Sequence, residues 1–204
     1  MSAISIYIIL LFPLAFIIHD GEEIATQHKW MQTHKETLAH RFPFAKPMVE
    51  HLSGLSTKAF TIAVLEELAL ILIATVCVVT GISFATEAWA IMFMAFSIHL
   101  LIHVGQGIIM RGYVPGLITS VLTLPYSYIG MQNVCEIFSA TELLTYGAVG
   151  IVAMVANLAF AHWLGYKLTG RKDDKQILLT TTLWIKQREI AKIVSKTENY
   201  NLSI

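Results

Sequence analysis

A chain of 204 residues that is 55% hydrophobic and only 14% charged, at a mean hydropathy of +0.64, is too apolar for a soluble globular domain. Its formal net charge of zero also lacks the basic excess that a nucleic-acid partner would require. The expected class is all-α, a polytopic membrane helical bundle of about five transmembrane helices, since each span needs about 20 mostly apolar residues.

The first apolar run, Ala3 to Ile18, ends in "HDGEE". It reaches a spanning length of about 20 residues only if the helix continues through Glu23. With no basic segment before it, Pro13 inside it and no small-residue cleavage site after it, the run reads as a retained span rather than a signal peptide. Gly21 lies inside this helix, where it would allow a neighbour or substrate to approach closely.

Residues 29–57 form the one long connection. Trp30, His34, Leu38 and Arg41 recur at helical intervals, then "FPFAKP" breaks the pattern, so an interfacial amphipathic helix is expected. His28, His34, His40 and His51 also fall here and read as interfacial rather than as a second metal site. Four further spans follow, near 59–80, 88–110, 114–135 and 143–166. Lys and Arg gather in the long connection, at Arg111 and after Lys167, which places the N-terminus outside and the C-terminus in the cytoplasm. The reading is a 1–170 bundle in the bacterial inner membrane with a polar cytoplasmic tail, 171–204, in which "LLTTTLWIKQREIAKIV" could form a short helix. Cys77 and Cys135 stay unassigned.

Ionisable residues inside spans are costly, about 2.5–3.5 kcal/mol each on insertion scales, and tend to mark function. Here they are His19, Glu22, Glu23, Glu66, Glu67, His99, His103 and His162. At about 1.5 Å of rise per residue, the first span holds its group roughly 9–15 Å above Lys29, Glu66 lies roughly 12 Å above Lys58, and His99 and His103 lie roughly 18 and 12 Å above Arg111. Segments of opposite direction thus bring their polar groups to one level, in the cytoplasmic half. His19, Glu22 and Glu23 share a helix face at i, i+3 and i+4, as do His99 and His103 at i, i+4, with Gln106 continuing that stripe. Glu66 and Glu67 stand about 100° apart, so at most one points at the same target.

Two histidines at i, i+4 beside carboxylates suit Zn, Fe or Mn, and no cysteine lies at this depth. The metal set expected is His19, Glu23, His99, His103 and Glu67. The spacing of "HDGEE" also matches an inverted zinc-protease motif, with Glu in place of the final His. Glu22 or Glu66 would take the proton from the attacking water, and Tyr113, in the "MRGYVPG" turn before the fourth span, would assist at the cytoplasmic mouth. Thr119 and Thr123 form a stripe above it, while Tyr146, Gly150, Ala153, Asn157 and Ala161 make a small-residue packing face on the last span.

Taken together, "HDGEE", "EE", "HLLIH" and "YVPG", in that order over roughly residues 10–165, resemble the HXXEE domain family of small multi-span membrane proteins. The resemblance implies metal-binding or enzymatic character, and its motif positions fall on His19, Glu22, Glu23, Glu66, His103 and Tyr113. The function expected is a zinc-dependent membrane hydrolase acting on a lipid or another hydrophobic, membrane-buried substrate. The alternatives are a dinuclear iron oxidoreductase and a non-enzymatic proton-coupled carrier or immunity protein using the same residues as a relay.

Overall fold

The computed structural model describes residues 4–169 and is helical throughout, with no strand among them. The tail 171–204 and its expected short helix lie outside the described residues. Helix α1, Ile6–Arg41, runs on through "HDGEE" for 36 residues, about 54 Å at 1.5 Å per residue. The segment from Trp30 to Arg41 is therefore the end of α1 and not a separate interfacial helix. The break falls at "FPFAKP" as expected: a 3-10 turn spans Pro43–Ala45, and α2, Lys46–Gly54, opens with Pro47 in its first turn, where a missing N–H does no harm.

The remaining helices are α3, Thr57–Val79; α4, Ala85–Met110; α5, Leu117–Ile137; and α6, Ala140–Thr169. Ser56 starts α3 by accepting the Ala59 N–H at 3.2 Å, an ordinary N-cap. Of the six α-helices among the described residues, α3, α4 and α6 are long and apolar enough to cross a membrane. Helices α1 and α5 carry more polar residues, of which His19, Glu22, Glu23 and Thr119 come together in one place.

Packing centres on Phe12, Trp89 and Phe93, all fully buried. Trp89 and Phe93 stack one turn apart on α4, and Phe12 of α1 meets both edge-on at 5.6 and 5.4 Å, a favoured aromatic geometry. Helix α6 closes on the others through its small residues. A Cβ on Gly150 would press the Ile91 carbonyl of α4, and one on Gly165 would collide with the Ala59 backbone of α3. Gly21 behaves otherwise: nothing lies within 4 Å of a Cβ placed there, so no neighbour in the chain requires it to be glycine.

Between α1, α3, α4 and α6 lies a cavity of about 660 Å³. Its walls include Phe12, Phe16, Phe60, Ile71, Ala74 and Phe96, whereas one region of it is bordered by Asp20, Glu23, Glu67 and His99. Cys77 lines it as a free thiol, and Cys135 is free and exposed.

Candidate metal centre

The i, i+4 spacing on α1 and on α4 brings four side chains together across the helix interface. His19, Glu23, His99 and His103 each offer one donor atom, all within 4.8 Å of one another. His103 Nε2 is 3.4 Å from Glu23 Oε1, His99 Nε2 is 3.7 Å from Glu23 Oε2, and the two imidazole nitrogens are 3.0 Å apart. His19, Glu23 and His103 are buried.

Donors bound to one ion at about 2.0–2.2 Å in a tetrahedron stand about 3.4 Å apart. The His103–Glu23 pair is at that spacing, and the widest pair leaves the cage somewhat larger than a bound ion needs. An orphaned atom supports the fit, since His19 Nε2 is completely buried without a hydrogen-bond partner, a costly state unless something binds it. Three imidazoles and a carboxylate, with no thiolate among them, suit zinc, iron or manganese.

The network behind His19 fixes which nitrogen faces inward. Thr119 Oγ1 donates its single proton to Glu22 Oε2 at 2.6 Å, so it accepts from His19 Nδ1 at 3.2 Å. This places the imidazole proton on Nδ1 and leaves the Nε2 lone pair for the cluster, the arrangement that ligating histidines ordinarily show.

Glu22 itself is occupied. Its Oε1 receives Tyr113 Oη at 2.8 Å and the Ile118 N–H at 3.4 Å; its Oε2 receives the Thr119 N–H at 2.7 Å as well as the Thr119 hydroxyl. Helix α5 starts after Gly116, which has no side chain to cap it. The carboxylate of α1 therefore serves as the cap from another helix, satisfying orphan N–H groups and meeting the positive end of the dipole. Burial, together with the Glu22 carboxylate, holds the Tyr113 phenol above its ordinary pKa, so it remains a donor. Trp30 Nε1 donates to the Tyr113 carbonyl at 3.0 Å, pinning this turn to α1.

Gly116 has φ +76°, and a Cβ on it would lie 2.9 Å from His19 Cε1 and 3.0 Å from His103 Nδ1. The "YVPG" turn thus needs glycine twice, for its left-handed backbone and for its closeness to two rings of the cluster.

The other expected residues are placed as follows. Glu67 borders the cavity with Glu23 and His99, whereas adjacent Glu66 does not border it and accepts from Asn157 Nδ2 at 3.2 Å. His162 stands apart from the cluster: its Nδ1 is 3.1 Å from His51 Nε2 of α2. His28 contacts the Leu55 carbonyl at 3.0 Å and His34 stacks on Trp30. Among the described residues His19, Glu23, His99 and His103 form the one group of three or more such donors close enough to share an ion.

Asp20 was not among the site residues expected from sequence. It is 4% exposed, its Oδ2 has no hydrogen-bond partner, and it borders the cavity. The signal was present in the phase of α1, because Phe12, Phe16, Asp20 and Glu23 line one stripe along the cavity.

A family model described as a protein of unknown function with HXXEE motif matches residues 10–129. The match takes in the cluster and the Glu22 cap, and it ends short of the residue 165 expected from the motifs. No curated protein and no solved structure matches the chain.

Proposed function

The chain belongs to the HXXEE family, and from that premise we propose that it is a metal-dependent integral membrane enzyme, a zinc hydrolase acting on a lipid or another apolar, membrane-buried substrate. The observation that carries this reading is the cavity of about 660 Å³, apolar along its length and bordered at one region by Glu23 and His99 of the cluster. A chain-bearing substrate would lie against the phenylalanines and present its polar bond to the ion. Its volume suits a small amphiphile. In this reading the protein sits in a bacterial plasma membrane with its C-terminus cytoplasmic, α3, α4 and α6 providing the clearest spans.

His19, Glu23, His99 and His103 hold the ion. A bound zinc supplies Lewis acidity and brings the pKa of water to about 7. Glu22 is a positioning residue, since its oxygens already receive four donors, and it acts through Thr119 on His19. Tyr113 supports Glu22. Neither Glu22 nor Glu66 borders the cavity, so Asp20 or Glu67, which do border it and are not among the four ligands, would take the proton of the attacking water.

Element analysis of protein purified in detergent, followed by lipidomic comparison of extracts incubated with holo and chelated protein, tests the proposal. Zinc bound to the wild type and lost from His19→Ala and His103→Ala, with products formed only by the holo form, is expected. Metal content unchanged in both variants would refute it. A dinuclear, carboxylate-bridged iron oxidoreductase is the second reading, favoured by Asp20 and Glu67 standing beside Glu23. Copurifying iron with a near-ultraviolet oxo-bridge absorption would select it over zinc hydrolysis.

A further inference from the structure

We infer that a second divalent cation binds on the cavity side of the first, between Asp20, Glu67 and Glu23, with Glu23 bridging the two. The inference rests on the metal reading above and adds a site of different chemistry to it. Asp20 and Glu23 lie at i, i+3 on α1 and share a face; Glu67 comes from α3 opposite them, close enough that the three carboxylates act electrostatically on one another. All three border the same cavity, and no lysine or arginine is among the residues lining it.

Three carboxylates facing one largely apolar cavity repel one another, and a cation or protons would relieve that repulsion. One divalent ion at the histidines offsets Glu23 and one further carboxylate, so one of Asp20 and Glu67 still lacks a counter-charge. Asp20 is the sharper observation, being 4% exposed, with Oδ2 unpartnered and bordering this space. Glu23 stands between the two positions: Oε1 lies toward buried His103, whereas Oε2 lies toward His99, which borders the cavity.

The two positions differ in donors. The first is rich in imidazole, whereas the second offers oxygen alone, a set that suits the hard cations Mg²⁺ and Mn²⁺. A shared carboxylate normally holds two ions about 3.5–4 Å apart.

Equilibrium dialysis of the metal-free full chain in detergent against Mn²⁺, read with electron paramagnetic resonance, tests this. The wild type should bind about two Mn²⁺ ions per chain and show the broadened spectrum of a coupled pair. Asp20→Asn and Glu67→Gln, which keep side-chain shape, should each bind about one and return the six-line signal of an isolated ion. One ion in the wild type, unchanged in Asp20→Asn, overturns the second site while leaving the first intact; Asp20 and Glu67 then hold protons. No Mn²⁺ bound by the wild type overturns this inference, and no zinc bound when Zn²⁺ replaces it in the same dialysis overturns the metal reading beneath it as well.

Discussion

Replacing Gly116 with alanine tests the turn that presses on the cluster, and Gly81 supplies the control. Both glycines have left-handed backbones, φ +76° and +73°, but a Cβ on Gly116 meets two histidine rings at 2.9–3.1 Å whereas one on Gly81 meets nothing within 4 Å. The backbone contribution, about 1–2 kcal/mol for a non-glycine residue in this region, is common to both. At Gly116 the rings must also retreat by about 0.3–0.5 Å to reach ordinary contact, beyond the roughly 0.2 Å tolerance of metal–ligand bonds. Disturbing ligand orientation ordinarily lowers metal affinity about 10–100-fold, equivalent to about 1.4–2.8 kcal/mol. Chelator competition and thermal unfolding in the same detergent separate the two effects. Gly81→Ala should lower Tm with zinc affinity unchanged, and Gly116→Ala should lower both. Wild-type zinc affinity in Gly116→Ala, or an equal loss in Gly81→Ala, would refute the contact argument.

Thr119→Val removes the acceptor of His19 Nδ1 and one donor to Glu22, so zinc affinity should fall about 10–100-fold, with Thr119→Ser restoring most of it; equal affinities for the Val and Ser variants would show that the hydroxyl does not orient the ring. Gly21→Ala, which meets no neighbour, should stabilise α1 by about 0.5–1 kcal/mol and leave zinc content alone, as followed by thermal unfolding and element analysis. Ala74→Phe should fill the cavity wall and reduce retention of a fluorescent fatty-acyl probe without changing bound zinc; undiminished retention would place the probe elsewhere. Chelating the metal should lower Tm, since an ion present at about 100 times its Kd stabilises the folded state by about 2.7 kcal/mol, and a Tm insensitive to chelation would remove the ion from the folded structure.

The four long helices after the connection were legible to within about three residues at their ends, because apolar runs bounded by Gly, Pro and charge carry strong boundary signals. The cluster was legible as well: i, i+4 pairing sets a shared face on one helix, and depth from the nearest basic anchor sets the level at which two helices meet. Partners brought together by docking alone were not legible. Glu22 looks like any carboxylate of the motif until α5 arrives with its uncapped N-terminus. His162 finds His51 across 111 residues with no pattern to announce it. Adjacency hid the choice between Glu66 and Glu67, although the lining sequence Ala63, Val64, Glu67, Ile71 and Ala74 shows that Glu67 lies in the phase of the cavity stripe.

The carboxylate cap has a consequence for how such a protein is made. Glu22 receives its strongest donors from Thr119, 97 positions later in the chain, and Glu23 waits for His99 and His103. As the ribosome delivers α1 before its partners, Glu23 waits through α3 for the histidines of α4, and Glu22 waits through α3 and α4 for α5. Docking of the polar face of α1 is therefore deferred until α4 and α5 are made. Assembly of the cluster is a late event in biogenesis, and truncations that stop before Thr119 should leave Glu22 without the donors that hold α1 to α5.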